Sequence, residues 1–123
     1  MYHDEYGRIW EGPFPFTIEM IRIHAPRDIG IYQLLYPNDD SFQVAYVGRA
    51  TGSTIFQRLA THYHRSHNWA ISRLNQPEVF KFTFYKCDEI TAKQIESFIT
   101  RMKKPPFNDR EEHKYLIPNI TVH

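Results

Sequence analysis

The chain of 123 residues contains a single cysteine, Cys87. One thiol can form neither an internal disulfide nor a thiolate zinc site, so we expect a reducing compartment. No apolar run is long enough to cross a bilayer, and the charged, proline-bearing start lacks the hydrophobic core of a secretory signal. These absences predict a soluble, cytoplasmic protein with no membrane partner.

The chain also lacks an internal repeat and an excess of charge of either sign. Its formal net charge is +1, which gives no global argument for a polyanionic partner, because many nucleic-acid-binding domains are strongly basic. The length fits one compact domain rather than two. We expect a single domain whose function is encoded in local patterns.

Basic side chains are concentrated in residues 49–73, a stretch without Asp or Glu that we call the cationic segment. Such a run is more often a solvated helix face than a binding site, and both interpretations stay open at this point. Its basic residues are Arg49, Arg58, His62, His64, Arg65, His67 and Arg73.

Two stretches with strand character are joined by turn residues. Residues 30–36 and 42–48 are rich in β-branched, aromatic and aliphatic side chains, and residues 37–41 are typical of a turn, which predicts a hairpin. Residues 14–24 alternate at first and then lose the period of two, so they fit a strand or a helix equally well. Residues 1–13 show no period and are expected to be an arm.

Helical spacing follows the hairpin. Ile55, Leu59 and Tyr63 recur at helical intervals, with Ser53 or Thr54 available as N-cap, which predicts a helix over residues 54–64. A shorter helix is expected around residues 69–74.

The last third of the chain predicts one strand and one helix. Residues 79–85 have the composition of a strand that is buried on much of its surface. Thr91 with Gln94 three residues later matches a capping box and predicts a helix that ends before Pro105 and Pro106. The order β-β-α-α-β-α predicts an α+β domain with a small three-stranded antiparallel sheet flanked by helices.

Two tyrosine motifs lie on the paired strands, Gly-Ile-Tyr at residues 30–32 and Tyr-Val-Gly at residues 46–48. On these motifs the chain resembles the GIY-YIG nuclease superfamily, with Val in place of Ile and a slightly longer hairpin. The resemblance covers residues 29–109 and implies a stand-alone nuclease core. Residues 1–28 would then be an N-terminal arm and residues 110–123 a C-terminal extension.

The other site positions of the family are matched in order. They are an arginine on the first helix, a histidine or tyrosine one turn later, a glutamate on the last helix and an asparagine beyond it, matched here by Arg58, His62, Glu96 and Asn108. Arg58 and His62 are four residues apart and therefore share a helix face. Taken singly, each residue is most often a surface charge, a packed helix residue or a turn residue. Their ordered occurrence favours a nuclease.

The resemblance implies a role for each side chain in phosphodiester hydrolysis. Glu96 would bind one Mg²⁺ or Mn²⁺, and Arg58 would bind a nonbridging phosphate oxygen. Tyr32 is the candidate general base, while Tyr46 orients the water or exchanges roles with Tyr32. A free phenol has a pKa of about 10, so the base needs help from a nearby cation or from proton transfer to His62. Asn108 would brace the last helix or the arginine, and the products would be a 5′-phosphate and a 3′-hydroxyl.

The expected partner is duplex or branched DNA, which would associate the protein with the nucleoid. One active site cuts one strand, so cutting both strands requires either a homodimer or two successive nicks, and we expect a homodimer. The host process could be restriction, recombination, repair or mobile-element transfer. DNA contacts are expected from Arg49, Arg58, His64, Arg65 and Arg73.

Two alternative functions stay open. The first is a non-catalytic nucleic-acid-binding module on the same scaffold, which would more often have lost Arg58 or Glu96. The second is a nuclease toxin domain with an immunity partner. A zinc site built on His62 and His64 is disfavoured, because residues two apart on a helix point about 200° away from each other around its axis.

Overall fold

The computed structural model describes residues 1–65 and 79–108, with the side chain of Arg65 excluded. Within these ranges five strands form one sheet: β1 (Tyr2–His3), β2 (Ile9–Pro15), β3 (Gly30–Asn38), β4 (Ser41–Ala50) and β5 (Lys81–Lys86). The strand order is β1-β2-β5-β3-β4, and every neighbouring pair is antiparallel. The helices described are α1 (Ile18–His24), α2 (Ile55–Arg65) and α3 (Glu89–Lys103), followed by a 3-10 turn at Pro106–Asn108.

The α+β class is confirmed, but the predicted count of three strands is too low. The additional strands β1 and β2 come from the N-terminal segment, and β2 pairs with β5 so that Phe14 lies opposite Phe82. The sequence pattern hid β2 because its register is irregular between Glu11 and Phe14, which interrupts the period of two. The segment that was expected to be an arm therefore extends the sheet.

Residues 14–24, which fit either element type, contain both. They include the end of β2 and then α1, which begins after Thr17, whose hydroxyl accepts a hydrogen bond from the Met20 backbone N–H at 3.2 Å. The switch from strand to helix explains why neither period extends through the whole segment.

The sheet separates two hydrophobic cores. On one face, Leu34 and Phe82 pack with Leu59 of α2, and on the other face Ile31 and Val47 pack with residues of α3. Alternate residues of one strand point to opposite faces, so β3 and β4 contribute to both cores. Burying one such aliphatic side chain stabilises the fold by roughly 1.5–3 kcal/mol. Helices α2 and α3 are thereby fixed on opposite faces of the same strands.

Local caps fix where the two longer helices begin. The predicted cap of α2 is confirmed at Thr54, whose hydroxyl accepts from the Gln57 N–H at 3.1 Å while Gln57 Oε1 accepts from the Thr54 N–H at 3.0 Å. The predicted cap of α3 at Thr91 is wrong. Asp88 is the N-cap, and its carboxylate accepts from the Thr91 N–H at 2.7 Å. An aspartate is favourable at the N-cap because its carboxylate accepts a backbone hydrogen bond and also interacts favourably with the helix dipole.

The helix expected around residues 69–74 lies outside the described residues. Among the helices that the structure does describe, none combines the length and apolar character that a bilayer crossing requires.

Candidate active site

The candidate site lies at the end of β4. In the described part of the chain, β4 is an edge strand of the sheet. Tyr46 packs against the core on the α2 face, whereas Arg49 lies across from Ile31, whose side chain belongs to the core on the α3 face. Side chains from both faces can therefore meet around this edge. The cleft formed there has a volume of about 410 Å³ and is lined by Tyr46, Arg49, Thr51, Gly52, Ser53, Arg58 and Glu96.

The glycine of the second motif makes room for the tyrosine of the first. Tyr32 lies opposite Gly48 in the β3–β4 pair. A Cβ atom at residue 48 would lie 2.5 Å from the Tyr32 hydroxyl oxygen and 2.9 Å from Cε2 of Tyr46. Real Cβ atoms do not approach other atoms so closely, so glycine is required for this arrangement. The two tyrosine rings lie 6.2 Å apart, centroid to centroid.

Tyr32 and His62 form a buried polar pair behind the cleft. The Tyr32 hydroxyl lies 2.7 Å from Nε2 of His62, and the tautomer of the imidazole sets which group donates. Tyr32 is 0% exposed and His62 6% exposed. Neither side chain is among those that line the cleft.

Arg58 lies beside both phenols. The nearby Tyr32 oxygen raises the pKa of Arg58 above its ordinary value, burial lowers it, and hydrogen bonding to Tyr32 and Tyr46 raises it further. The guanidinium therefore stays cationic at any physiological pH. Its Nε is buried without a hydrogen-bond partner among the described residues, and the residue as a whole is partly exposed at the cleft.

The two tyrosines differ in their electrostatic surroundings. Burial raises the pKa of Tyr32 far above its ordinary value, and the neighbouring Tyr46 raises it further, while Arg58 lowers it. Burial also raises the pKa of Tyr46, and the charge of Glu96 adds to this, whereas Arg58 and a hydrogen bond from Tyr32 lower it. The contact between the hydroxyls thus favours ionisation of Tyr46 over ionisation of Tyr32. Tyr46 is also the one that lines the cleft.

Glu96 reaches the cleft from α3 and pairs with Arg49. The distance from Arg49 Nε to Glu96 Oε1 is 2.9 Å, and the two side chains are 33% and 31% exposed. In the described residues no group of three or more His, Cys, Asp or Glu side chains is close enough to hold a metal ion together. Glu96 is the carboxylate that lines the cleft.

Asn108 fixes the edge of β4. Its Oδ1 accepts a hydrogen bond from the Val47 N–H at 2.9 Å, and its Nδ2 donates to the Val47 carbonyl at 2.8 Å. The side-chain amide thus takes the place of a neighbouring strand at Val47. Its partner is this backbone, rather than the last helix or the arginine as the sequence suggested, because the 3-10 turn brings residue 108 back to the sheet.

The structure brings four of the sequence-predicted residues into the cleft, namely Tyr46, Arg49, Arg58 and Glu96. Among the expected DNA contacts, His64 is exposed on α2. Arg73 and the side chain of Arg65 lie outside the described residues, as does His67. Residues 51–53 also line the cleft and were missed by the sequence analysis. Their position between the second tyrosine motif and the N-cap of α2 is the signal that could have identified them.

Solved structures with a similar fold are forms of the GIY-YIG N-terminal endonuclease domain of UvrC from Thermotoga maritima. The form bound to its catalytic divalent cation, magnesium, has a TM-score of 0.56 and 19% sequence identity, covering 75% of this chain and 96% of that chain. A point mutant bound to its catalytic divalent cation has a TM-score of 0.55 and 20% identity, covering 76% and 96%. No protein-family model matches the chain, and no curated protein matches it significantly. The fold of this chain is the GIY-YIG fold.

Proposed function

We propose that this protein is a metal-dependent endonuclease that hydrolyses phosphodiester bonds in DNA. The observation that carries the proposal is the cleft at the β4 edge, where a guanidinium, a phenol and a carboxylate from three different elements line one space. These groups come from Arg58, Tyr46 and Glu96. The similar UvrC domain is named an endonuclease domain and carries a catalytic divalent cation, which agrees with such a site.

Glu96 is the residue that would hold the divalent cation. Its carboxylate is a hard oxygen ligand, it is about one third exposed, and it belongs to a polar cleft. A single protein carboxylate fits Mg²⁺ or Mn²⁺, which keep several water ligands and accept substrate phosphate oxygens. When bound, the cation would supply Lewis acid stabilisation of charge on the phosphate and on the leaving oxygen.

Arg58 binds and neutralises the phosphate. The Tyr32 and Tyr46 oxygens beside it favour the cationic guanidinium at this position before substrate arrives, so little reorganisation is needed when charge develops on a nonbridging oxygen. Removing one such preorganised donor typically costs about 2.7–4 kcal/mol of transition-state stabilisation.

Tyr46 rather than Tyr32 takes the proton of the attacking water. It lines the cleft, whereas Tyr32 is fully buried behind it. The base role that the resemblance implied for Tyr32 therefore passes to Tyr46. Burial raises the pKa of Tyr46 above its ordinary value and the charge of Arg58 offsets part of that rise, so the reactive phenolate is the minor form at neutral pH.

Tyr32 and His62 stabilise the ionised form of Tyr46. With a proton on Nε2, His62 donates to the Tyr32 oxygen, which lets the Tyr32 hydroxyl donate to the Tyr46 phenolate. In this series of hydrogen bonds, the His62 N–H has the Tyr32 oxygen as its acceptor, and the Tyr32 O–H has the Tyr46 oxygen as its acceptor. The attacking water then gives one proton to the Tyr46 phenolate as its oxygen bonds to phosphorus. The bond between phosphorus and the 3′-oxygen breaks, and the 3′-oxygen takes a proton from solvent to become the 3′-hydroxyl.

DNA is proposed as the substrate, with its backbone running along the cationic segment. Arg49 and His64 would contact phosphates, and the same role is proposed for Arg65 and Arg73. Binding should then weaken strongly as salt rises, because each neutralised phosphate releases counterions. The homodimer, the location at the nucleoid and the division of the chain at residues 28 and 109 stay predictions.

A plasmid-nicking assay tests the proposal. The intact protein should convert supercoiled DNA to the open circle in Mg²⁺ or Mn²⁺ and not in EDTA, and Glu96→Ala should abolish this conversion. Glu89→Ala is the matched control, since Glu89 is the other glutamate of α3 and lies at its exposed first turn. If supercoiled DNA stays intact with both metals and Glu96→Ala behaves like the intact protein, the proposal is wrong and a non-catalytic binding module is favoured.

A further inference from the structure

We propose that Arg49 couples the binding of the cation to the binding of DNA by exchanging one partner for another. Without substrate, the Arg49 guanidinium pairs with Glu96. When Glu96 takes the cation, Arg49 is released and binds a phosphate of the DNA. This inference rests on the proposed function and adds to it a reason why cation and DNA bind cooperatively.

The ion pair occupies the carboxylate that the cation needs. Nε of Arg49 lies 2.9 Å from Oε1 of Glu96, which is a hydrogen-bond distance for charged groups. A divalent ion on this carboxylate would repel a guanidinium that stays in place. Cation binding therefore requires Arg49 to move, or at least to give up its contact with Oε1.

The pair is weak enough to be exchanged. Both side chains are about one third exposed, so water and salt screen the pair in part and its contribution is modest. Arg49 lies near the end of β4, and its side chain lies at the edge of the sheet rather than in a core. The arginine can change partner without unfolding an element.

A phosphate is the anion that suits the released guanidinium. Arg49 and Arg58 line the same cleft, and Arg58 lies beside the two phenols. In the described part of this cleft, Glu96 is the acidic side chain available to Arg49. Once Glu96 is bound to a cation, the favourable partner for Arg49 is a ligand anion, and arginine binds phosphate with two parallel hydrogen bonds.

A thermodynamic consequence follows. Without DNA, the cation must compete with Arg49 for Glu96, so its affinity is reduced. With DNA present, a phosphate holds Arg49 away from Glu96, and the affinity for the cation rises. Linkage is reciprocal, so the cation raises the affinity for DNA by the same factor.

The test measures Mn²⁺ binding by electron paramagnetic resonance in the full chain carrying Tyr46→Phe, a background in which cutting should not interfere. A short DNA duplex is added or omitted. We expect Arg49→Gln to tighten Mn²⁺ binding about five-fold without DNA, the upper range for an exposed pair. We also expect DNA to raise Mn²⁺ affinity clearly when Arg49 is present and much less in Arg49→Gln.

Arg58→Gln is the matched control, because it removes one positive charge from the same cleft without breaking a contact with Glu96. If Arg58→Gln tightens Mn²⁺ binding without DNA less than Arg49→Gln does, the exchange is supported. If Arg58→Gln tightens it as much or more, the exchange is overturned. An unchanged or weaker Mn²⁺ affinity in Arg49→Gln also overturns it. Circular dichroism verifies that each variant is folded.

Glu96→Gln separates this inference from the proposed function. If Mn²⁺ binding is lost in Glu96→Gln but Arg49→Gln has no effect, the cation site stands and the exchange is wrong. If Glu96→Gln binds Mn²⁺ as tightly as the starting protein, the assignment of the cation to Glu96 is wrong, and the exchange is overturned with it.

Discussion

The hydroxyl of Tyr32 lies 2.7 Å from Nε2 of His62, in surroundings that leave 0% of the tyrosine and 6% of the histidine exposed. The two side chains hydrogen-bond to each other in a place that water does not reach, and burying either polar group without a partner would be costly. This pair lies behind the cleft and Tyr46 lies in it. The two tyrosines of the motif pair are therefore expected to differ in function.

Replacing each tyrosine by phenylalanine should separate catalysis from stability. Tyr46→Phe is expected to lower the nicking rate about 10²–10⁴-fold, the usual contribution of a positioned acid or base. Tyr32→Phe should lower it less but reduce the free energy of unfolding by about 1–3 kcal/mol, because the buried bond to His62 is lost. Single-turnover rates and urea unfolding measure the two effects.

Tyr36→Phe is the control for these variants. Tyr36 lies on β3, like Tyr32, but it packs against Phe80 and is absent from the cleft lining. It should change neither quantity appreciably. A larger rate loss for Tyr32→Phe than for Tyr46→Phe would show that the buried phenol is the base.

The rate should increase with pH across the neutral range. Burial raises the pKa of Tyr46 above its ordinary value, so the phenolate is the minor form and its fraction grows ten-fold with each pH unit below that pKa. We expect the logarithm of the nicking rate to rise with a slope of about +1 from roughly pH 6 to 9, without a plateau. Tyr46→Phe should flatten the profile. A plateau already reached near neutrality would point to another base.

Gly48→Ala should damage both fold and activity. The new Cβ would lie 2.5 Å from the Tyr32 hydroxyl oxygen, and Tyr32 is 0% exposed, so we expect a loss of about 1–3 kcal/mol, as for overpacked cores. Gly52→Ala is the control in the neighbouring loop, where nothing lies within 4 Å of an added Cβ. Thermal unfolding measures the stability of the two variants. Equal stabilities of Gly48→Ala and Gly52→Ala would show that Tyr32 does not pack against Gly48.

Arg58→Lys should lower turnover although it keeps the charge. A single ammonium cannot replace a planar guanidinium that contacts two phenols and a phosphate at once, so we expect a loss of about 10²–10³-fold in rate. Arg101→Lys on the exposed face of α3 is the control. Retention of more than half the rate in Arg58→Lys would mean that only charge matters at this position.

Asn108→Ala should loosen the end of β4. It removes two hydrogen bonds to the backbone of Val47, and leaving these groups unsatisfied costs about 1–3 kcal/mol. Asn108→Asp should be at least as harmful, because a carboxylate oxygen would face the Val47 carbonyl. Hydrogen exchange at the Val47 amide measures the effect locally. Gln94→Ala, an exposed amide on α3, should leave that exchange unchanged.

Local signals in the sequence predicted the elements that depend on local interactions. The hairpin, the start of α2 at its Thr54 cap and the approximate extents of β5 and α3 follow from composition, periodicity and capping over a few residues. Long-range pairing was not predictable in this way. Strand β2 pairs with β5, which is about seventy residues away, and its irregular register shows no period that could reveal it.

The sequence by itself determined which chemical groups the site could contain, because two tyrosines, an arginine, a histidine, a glutamate and an asparagine occur in the order of a known nuclease motif set. Tertiary structure decided which of them share the cleft. Burial depends on contacts between distant segments, and these contacts place Tyr32 behind Tyr46 and pair Arg49 with Glu96. Only the packing of α2 and α3 on opposite faces of an edge strand brings the arginine of one helix and the carboxylate of the other into one cleft.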